Sequence, residues 1–151
     1  AWPMFARYHY LTGTLGRGAR CFIGLWRGAA VAFCATIALI GRRKRWRISR
    51  LVTLPDYQGA GIGTRMARAV AELHGAEGHR VNITSGHPAL IGHCRRSPFW
   101  RAVNVKKTGS PRDARRFARS YRGSPGRSVV SFEFLGKGYG DTERNSSGES
   151  T

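Results

Sequence analysis

The sequence predicts an α/β (α+β) domain on three observations. Residues 19 to 40 combine an alternating run with an apolar one, as a strand pair does. A strand pattern, a glycine-rich turn and an amphipathic stretch follow one another between 48 and 74. Strand-like and helix-like patterns then keep alternating to about residue 135. The 151 residues suffice to close one hydrophobic core without a disulfide or a structural metal. The reading is therefore one domain over 1–135 and a flexible polar tail over 136–151.

"WPMFARYHYL" places Trp2, Phe5 and His9 near one face of a short helix, which Tyr8 and Leu11 extend. The link from Gly13 to Gly18 ends it. "ARCFIGLW" reads as a strand, "RGA" as a tight turn and "AVAFCATIALI" as a second strand, together an antiparallel hairpin with the basic "GRRKRWR" as its far turn. "RISRLVTLP" is a strand stopped by Pro55, which cannot continue a ladder. From Thr64, an apolar stripe of Met66, Ala67, Val70, Ala71 and Leu73 predicts a helix closed by Gly75 and Gly78. "HRVNITS" is the next strand. Pro88 opens a helix carrying Ala89, Leu90, Ile91 and Cys94, and Pro98 forbids its continuation. "RAVNVKK" is a short strand. "SPRDARRFARSYR" is a helix with Ser110 as cap, Pro111 at its first position and Asp113 complementing the dipole. "SVVSFEFLG" is the last strand.

Charge is the loudest compositional feature: 26 Lys plus Arg against 8 Asp plus Glu, a net +18. Such a field draws polyanions by steering and counterion release. A solvated surface built from Arg is the plainer explanation. Two clusters stand out, Arg42 to Arg47 with Trp46, and Arg112, Arg115, Arg116 and Arg119 on one helix face. Neither has the aromatic series that base stacking needs. Three cysteines, Cys21, Cys34 and Cys94, show no C-x-x-C spacing and read as reduced thiols of a cytoplasm-like compartment, with Cys21 and Cys34 in the core. The longest apolar run, Ala29 to Leu39 with Ile40, is about half of the roughly 20 residues a spanning helix needs, so no membrane segment is expected. The "AWPMF" start has neither initiator Met nor signal-peptide pattern, and reads as a domain excised from a longer chain. "NIT" and "NSS" are chance glycosylation strings in that compartment.

A strand, a glycine-rich turn and a helix make a generic anion cradle, because the first amides of a helix point outward with partial positive charge. Two familiar versions fail on spelling. A P-loop needs a Lys that this loop lacks, and the third glycine of G-x-G-x-x-G falls on Thr64 or Met66. What fits is Gln58-Gly59-Ala60-Gly61-Ile62-Gly63 after "LVTLPDY". This resembles motif A of the GNAT acetyltransferase superfamily, commonly [QR]-x-x-G-x-[GA] after a hydrophobic residue, Pro, any residue and Tyr. The likeness spans roughly residues 1 to 135, with recognisable spelling from Arg50 to Trp100; the nearest impression is of domains free-standing in phages or appended to ABC-type ATPases.

The resemblance implies a mixed, mostly antiparallel sheet flanked by helices and splayed after the motif A strand. It implies an acetyl-coenzyme A-dependent N-acetyltransferase whose loop, Gln58, Gly59, Ala60, Gly61, Ile62, Gly63 and Thr64, binds the pyrophosphate. Val52 and Leu54 would bind pantetheine, and backbone amides near Leu54 would face the oxyanion. "SGHPALIGHCRRSPFW" is similar to motif B, with Phe99 as its Phe, Pro98 in place of Gly, and Cys94 where a Tyr usually protonates the departing thiolate. The carboxylate that many relatives carry on the strand before motif A is missing from "RWRISRLVTL". His87, with an ordinary pKa of about 6.5, is the substitute base, ahead of His9. His93 reads as a surface residue and Asp56 as a turn residue. Cys94 could instead accept the acetyl group if Arg95 and Arg96 lower its pKa. The acceptor is an amine, with nucleic acid reached through the basic faces as one setting. The alternative is a scaffold that has lost catalysis and serves as a basic nucleic-acid-binding or ATPase-partner module. Oligomeric state is not legible.

Overall fold

The computed structural model describes residues 2–6, 17–107 and 128–136. Its elements are α1 (Trp2–Ala6), β1 (Arg20–Trp26), β2 (Ala29–Ala38), β3 (Arg45–Thr53), α2 (Ile62–Ala76), β4 (Arg80–Ser85), α3 (Pro88–Arg96), β5 (Trp100–Lys107) and β6 (Ser128–Phe134). His9, the 110–122 helix and the tail expected from the sequence lie outside the described residues.

One six-stranded sheet has the order β1-β2-β3-β4-β6-β5. Among the described residues, β3 and β4 alone run parallel, with α2 as the crossover between them, and the other neighbours are antiparallel. The expected mixed, mostly antiparallel sheet is therefore present. The β1–β2 hairpin turns on Arg27 and Gly28, both at positive φ, which is the two-residue turn whose twist suits paired strands. The basic segment after β2 is shorter as a turn than the sequence suggests: Arg45, Trp46 and Arg47 already pair in β3.

Both faces of the sheet are covered. On one, Phe5 of α1 packs on Phe33, with Ala35 and Val52 completing the cluster. On the other, α2 and α3 bury Met66, Ala67, Val70, Ala71 and Cys94 against Val31, Ile48, Val81, Ile83, Val130 and Phe132. Two expectations about the core are corrected. Leu73 is 53% exposed, whereas His74 is fully buried. At about 100° per residue the buried arc of α2 runs through Ala67, Val70 and His74, and Leu73 falls about 90° from its centre. Cys21 is exposed, because β1 is an edge strand that turns Phe22 inward and its neighbours outward. Cys34 is buried as expected.

Truncating Phe132 to Ala should cost about 3–5 kcal/mol of unfolding free energy, while Leu73→Ala should stay within about 0.5 kcal/mol. Urea unfolding of both variants measures the contrast, and equal losses would contradict the assigned face of α2.

Candidate functional site

The site begins where two strands part. β3 and β4 pair only from Arg45 with Arg80 to Ile48 with Ile83, yet β3 continues to Thr53 and β4 to Ser85. Beyond Ile48 the strands share no ladder, which leaves a cleft with main-chain groups on its β3 wall.

Which groups face the cleft follows from the phase of the β2–β3 ladder. The Leu54 amide donates to the Val31 carbonyl at 2.9 Å, and Ala32 opposes Thr53 while Phe33 opposes Val52. Inward and outward groups alternate along an antiparallel strand, so Leu54 and Val52 turn their main chain toward β2, and Leu51 and Thr53 turn theirs toward the cleft. This corrects the expectation at Val52 and Leu54. The Val52 side chain lies in the α1 cluster with Leu54 against it, and the Leu54 amide is engaged rather than free for an oxyanion.

At the head of the cleft, Pro55–Tyr57 forms one 3₁₀ turn, closed by the Tyr57 amide on the Leu54 carbonyl and the Gln58 amide on the Pro55 carbonyl. The Gln58 side-chain amide then donates back to the Thr53 carbonyl at 3.1 Å, tying the loop to the strand end. Gly59 and Gly61 have φ of 82° and 74°, the left-handed region that glycine enters without strain. Gly61 is the cap of α2, and the Thr64 hydroxyl donates to its carbonyl at 2.9 Å. Gly63 serves a different need: a Cβ there would stand 2.9 Å from Thr53 Oγ1, so any larger residue would have to push that hydroxyl aside for α2 to approach β3 this closely. Among the described residues, no carbonyl or side chain accepts a well-formed hydrogen bond from the amides of Gly59, Ala60, Gly61, Ile62, Gly63 or Thr64. The amides of the first turn of α2, with the glycine turn before it, form an anion site of the ordinary kind.

His87 lies toward the same end of the sheet, because β3 and β4 run parallel and it caps α3 just after β4. Its amide donates to Ser85 Oγ at 3.0 Å and its carbonyl accepts from Ile91. The side chain is exposed. Asp56 is exposed in the 3₁₀ turn, and the His93 carbonyl ends α3 by accepting from the Ser97 amide. Cys94 is 1% exposed within the α2–α3 core, and burial pushes its thiol up to about 11. The lowering expected from Arg95 and Arg96 is absent, since both lie exposed outside that core. Phe99 packs against the core and carries the Arg68 guanidinium 3.6 Å above its ring.

Residues 2–92 match the family model described as "Acetyltransferase (GNAT) family". No curated protein sequence matches the chain. Among solved structures, the IAA acetyltransferase from Bacillus cereus is similar, at 15% identity over 77% of each chain with a TM-score of 0.55. The ribosomal-protein-S18-alanine N-acetyltransferase from Escherichia coli is 14% identical, over 80% of this chain and 70% of that one, with a TM-score of 0.57. A GNAT family acetyltransferase from Elizabethkingia anophelis, with acetyl-CoA bound, is 9% identical over 77% of this chain and 75% of that one, with a TM-score of 0.58. Identities this low establish likeness of fold alone.

A native chain treated with iodoacetamide at pH 8 should be alkylated at Cys21, while Cys34 and Cys94 react only after denaturation. Peptide mass mapping reads the outcome, and rapid native labelling of Cys94 would restore it as a nucleophile.

Proposed function

Because the chain belongs to the acetyltransferase (GNAT) family, we propose that it transfers an acetyl group from acetyl-coenzyme A to a primary amine by direct attack. The observation that carries this reading is the run of six amides from Gly59 to Thr64 that have no well-formed bond to an acceptor among the described residues, at the mouth of the β3–β4 cleft. They suit a pyrophosphate: the left-handed turns at Gly59 and Gly61 aim successive N–H groups at one place, and no side chain stands within 4 Å of where a Cβ on Gly59 would be. Ala60 and Ile62 contribute through the main chain, and Gln58 by holding the loop to Thr53. The pantetheine arm pairs with the main chain of Leu51 and with the amide of Thr53 rather than with Val52 and Leu54, because these groups turn toward the cleft while the Thr53 carbonyl is taken by Gln58.

When bound, acetyl-coenzyme A supplies the thioester that is the acyl donor. The protein must then accept a proton from the incoming amine and exclude competing water. His87 is assigned to the proton, as the imidazole nearest in topology to the end of the cleft among the described residues, and its amide contact with Ser85 Oγ fixes its main chain. Cys94 has no part as an acyl carrier, because a thiol held at about 11 is not a thiolate near neutrality.

The acceptor is proposed to be an amine on a nucleic acid or on a protein bound to one, supported by the net charge of +18. The exposed turn at Arg42, Arg43 and Lys44 precedes β3, whereas the cleft follows it, so this basic turn anchors a polyanion about 30 Å from the chemistry, by strand rise. The second reading, a scaffold that binds nucleic acid without catalysing, draws on the absence of any Asp or Glu in β3.

Gly61→Glu places a carboxylate at the anion site and strains a left-handed position, and should weaken acetyl-coenzyme A binding at least roughly tenfold by calorimetry. Unchanged affinity removes the loop from the donor site. His87→Ala should lower kcat by about 10²-fold or more with donor affinity kept; full turnover rejects it as base. Nucleic-acid affinity should fall steeply with added salt, and donor binding without turnover on any amine would favour the second reading.

A further inference from the structure

The far end of α2 carries a second constellation. "HGAEGH", residues 74 to 79, closes the helix: the His79 amide donates to the His74 carbonyl at 2.9 Å and the Gly78 amide to the Gly75 carbonyl at 2.9 Å, with Gly78 at φ 76°. These bonds define a Schellman motif, in which the side chains three before the cap and two after it are brought into contact. That contact is usually apolar. Here it joins two imidazoles, with His74 Nδ1 3.4 Å from His79 Nδ1, while the cap residue Glu77 places Oε2 3.3 Å from His79 Nδ1. The three donor atoms lie within 4.8 Å of one another.

Two of these separations match the edge of a tetrahedron around zinc, where ligands at about 2.0–2.1 Å from the metal stand about 3.3 Å apart. The buried His74 is also prepared as a ligand. Its Nε2 lies 2.9 Å from Thr36 Oγ1, and the ring packs at a tilt of 37° against Trp46, centroids 4.7 Å apart. Arg20 Nη1 lies 3.5 Å from Nδ1 and can only donate, so Nδ1 presents a lone pair and Nε2 carries the proton toward Thr36. Arg20 Nη1, 2.6 Å from Glu77 Oε2, is thus a cation already resting between Glu77 and His74. Its side chain is 37% exposed at the start of an edge strand, with the guanidinium over the Phe22 and Trp46 rings at 5.8 and 5.5 Å and Nη2 on Glu77 Oε1 at 2.8 Å, the contact that remains when Nη1 gives way.

We propose that His74 Nδ1, His79 Nδ1 and Glu77 Oε2 form a binding site for a divalent metal ion of the zinc class, with Arg20 Nη1 as the group the ion displaces. The fourth position faces solvent beside His79 and takes water. Ten residues of helix separate His74 from Thr64, about 15 Å, so the ion clamps the end of α2 and takes no part in acyl transfer. Thr36 orients His74, and Arg20 Nη2 holds the carboxylate oxygen that does not ligate.

Calorimetric titration of the untagged full chain with zinc chloride should show one site, and both His79→Gln and Glu77→Gln should weaken it at least roughly tenfold while melting like the parent in chelator. Cobalt(II) bound at the same site should show tetrahedral visible bands without a thiolate charge-transfer band. Absence of binding at 100-fold molar excess of zinc, affinity unchanged in both variants, or a thiolate band would overturn the proposal. His74→Asn is not needed for the decision, since loss of a buried ring could unfold the chain by itself.

Discussion

The short pairing of β3 with β4 is the constraint on which the rest depends. Four residue pairs suffice to seat α2 as a crossover, and the strands then separate. Had the ladder continued to Thr53, Leu51 and Thr53 would spend their outward N–H and C=O groups on β4, and the glycine loop would cap a closed sheet. Separation has a cost, because each exposed main-chain group forgoes a ladder bond worth about 1 kcal/mol. The buried faces offset it: Ile48 and Ile83, the last pair, are both core residues packed under α2.

Much of this was legible in the residues, and the reasons are specific. Arg27-Gly28 and the alternation around it mark a hairpin because few other conformations suit glycine there. Pro55 stops β3, and the three glycines announce a main chain that needs positive φ or close approach; the structure separates those needs, with Gly59 and Gly61 serving the first and Gly63 the second. The family resemblance at Gln58 to Gly63 agrees with the match over residues 2–92.

What was not legible depends on register and on long-range packing. Whether Val52 or Leu51 turns its amide to the cleft is set by the Leu54–Val31 bond, and strand alternation alone looks the same in either phase. Leu73 and His74 are neighbours on α2, and hydrophobicity names the wrong one; Thr36, Trp46 and Arg20, from three different strands, make the polar ring the buried one. A signal existed in "HGAEGH", where a glycine directly before the second histidine marks a helix end that folds back on itself. Cys94 shows a similar limit: the flanking Arg95 and Arg96 are adjacent in sequence, but an α-helix sends adjacent side chains to different faces.

The Gly63–Thr53 approach reaches beyond packing. With no Cβ in the way, α2 rests directly on the end of β3, and Gln58 ties the intervening loop to the same residue. The donors at the helix mouth are therefore oriented during folding, before any guest arrives. An anion entering such a pre-organised seat loses its own freedom but need not also freeze the host, which leaves more of the contact energy to appear as affinity.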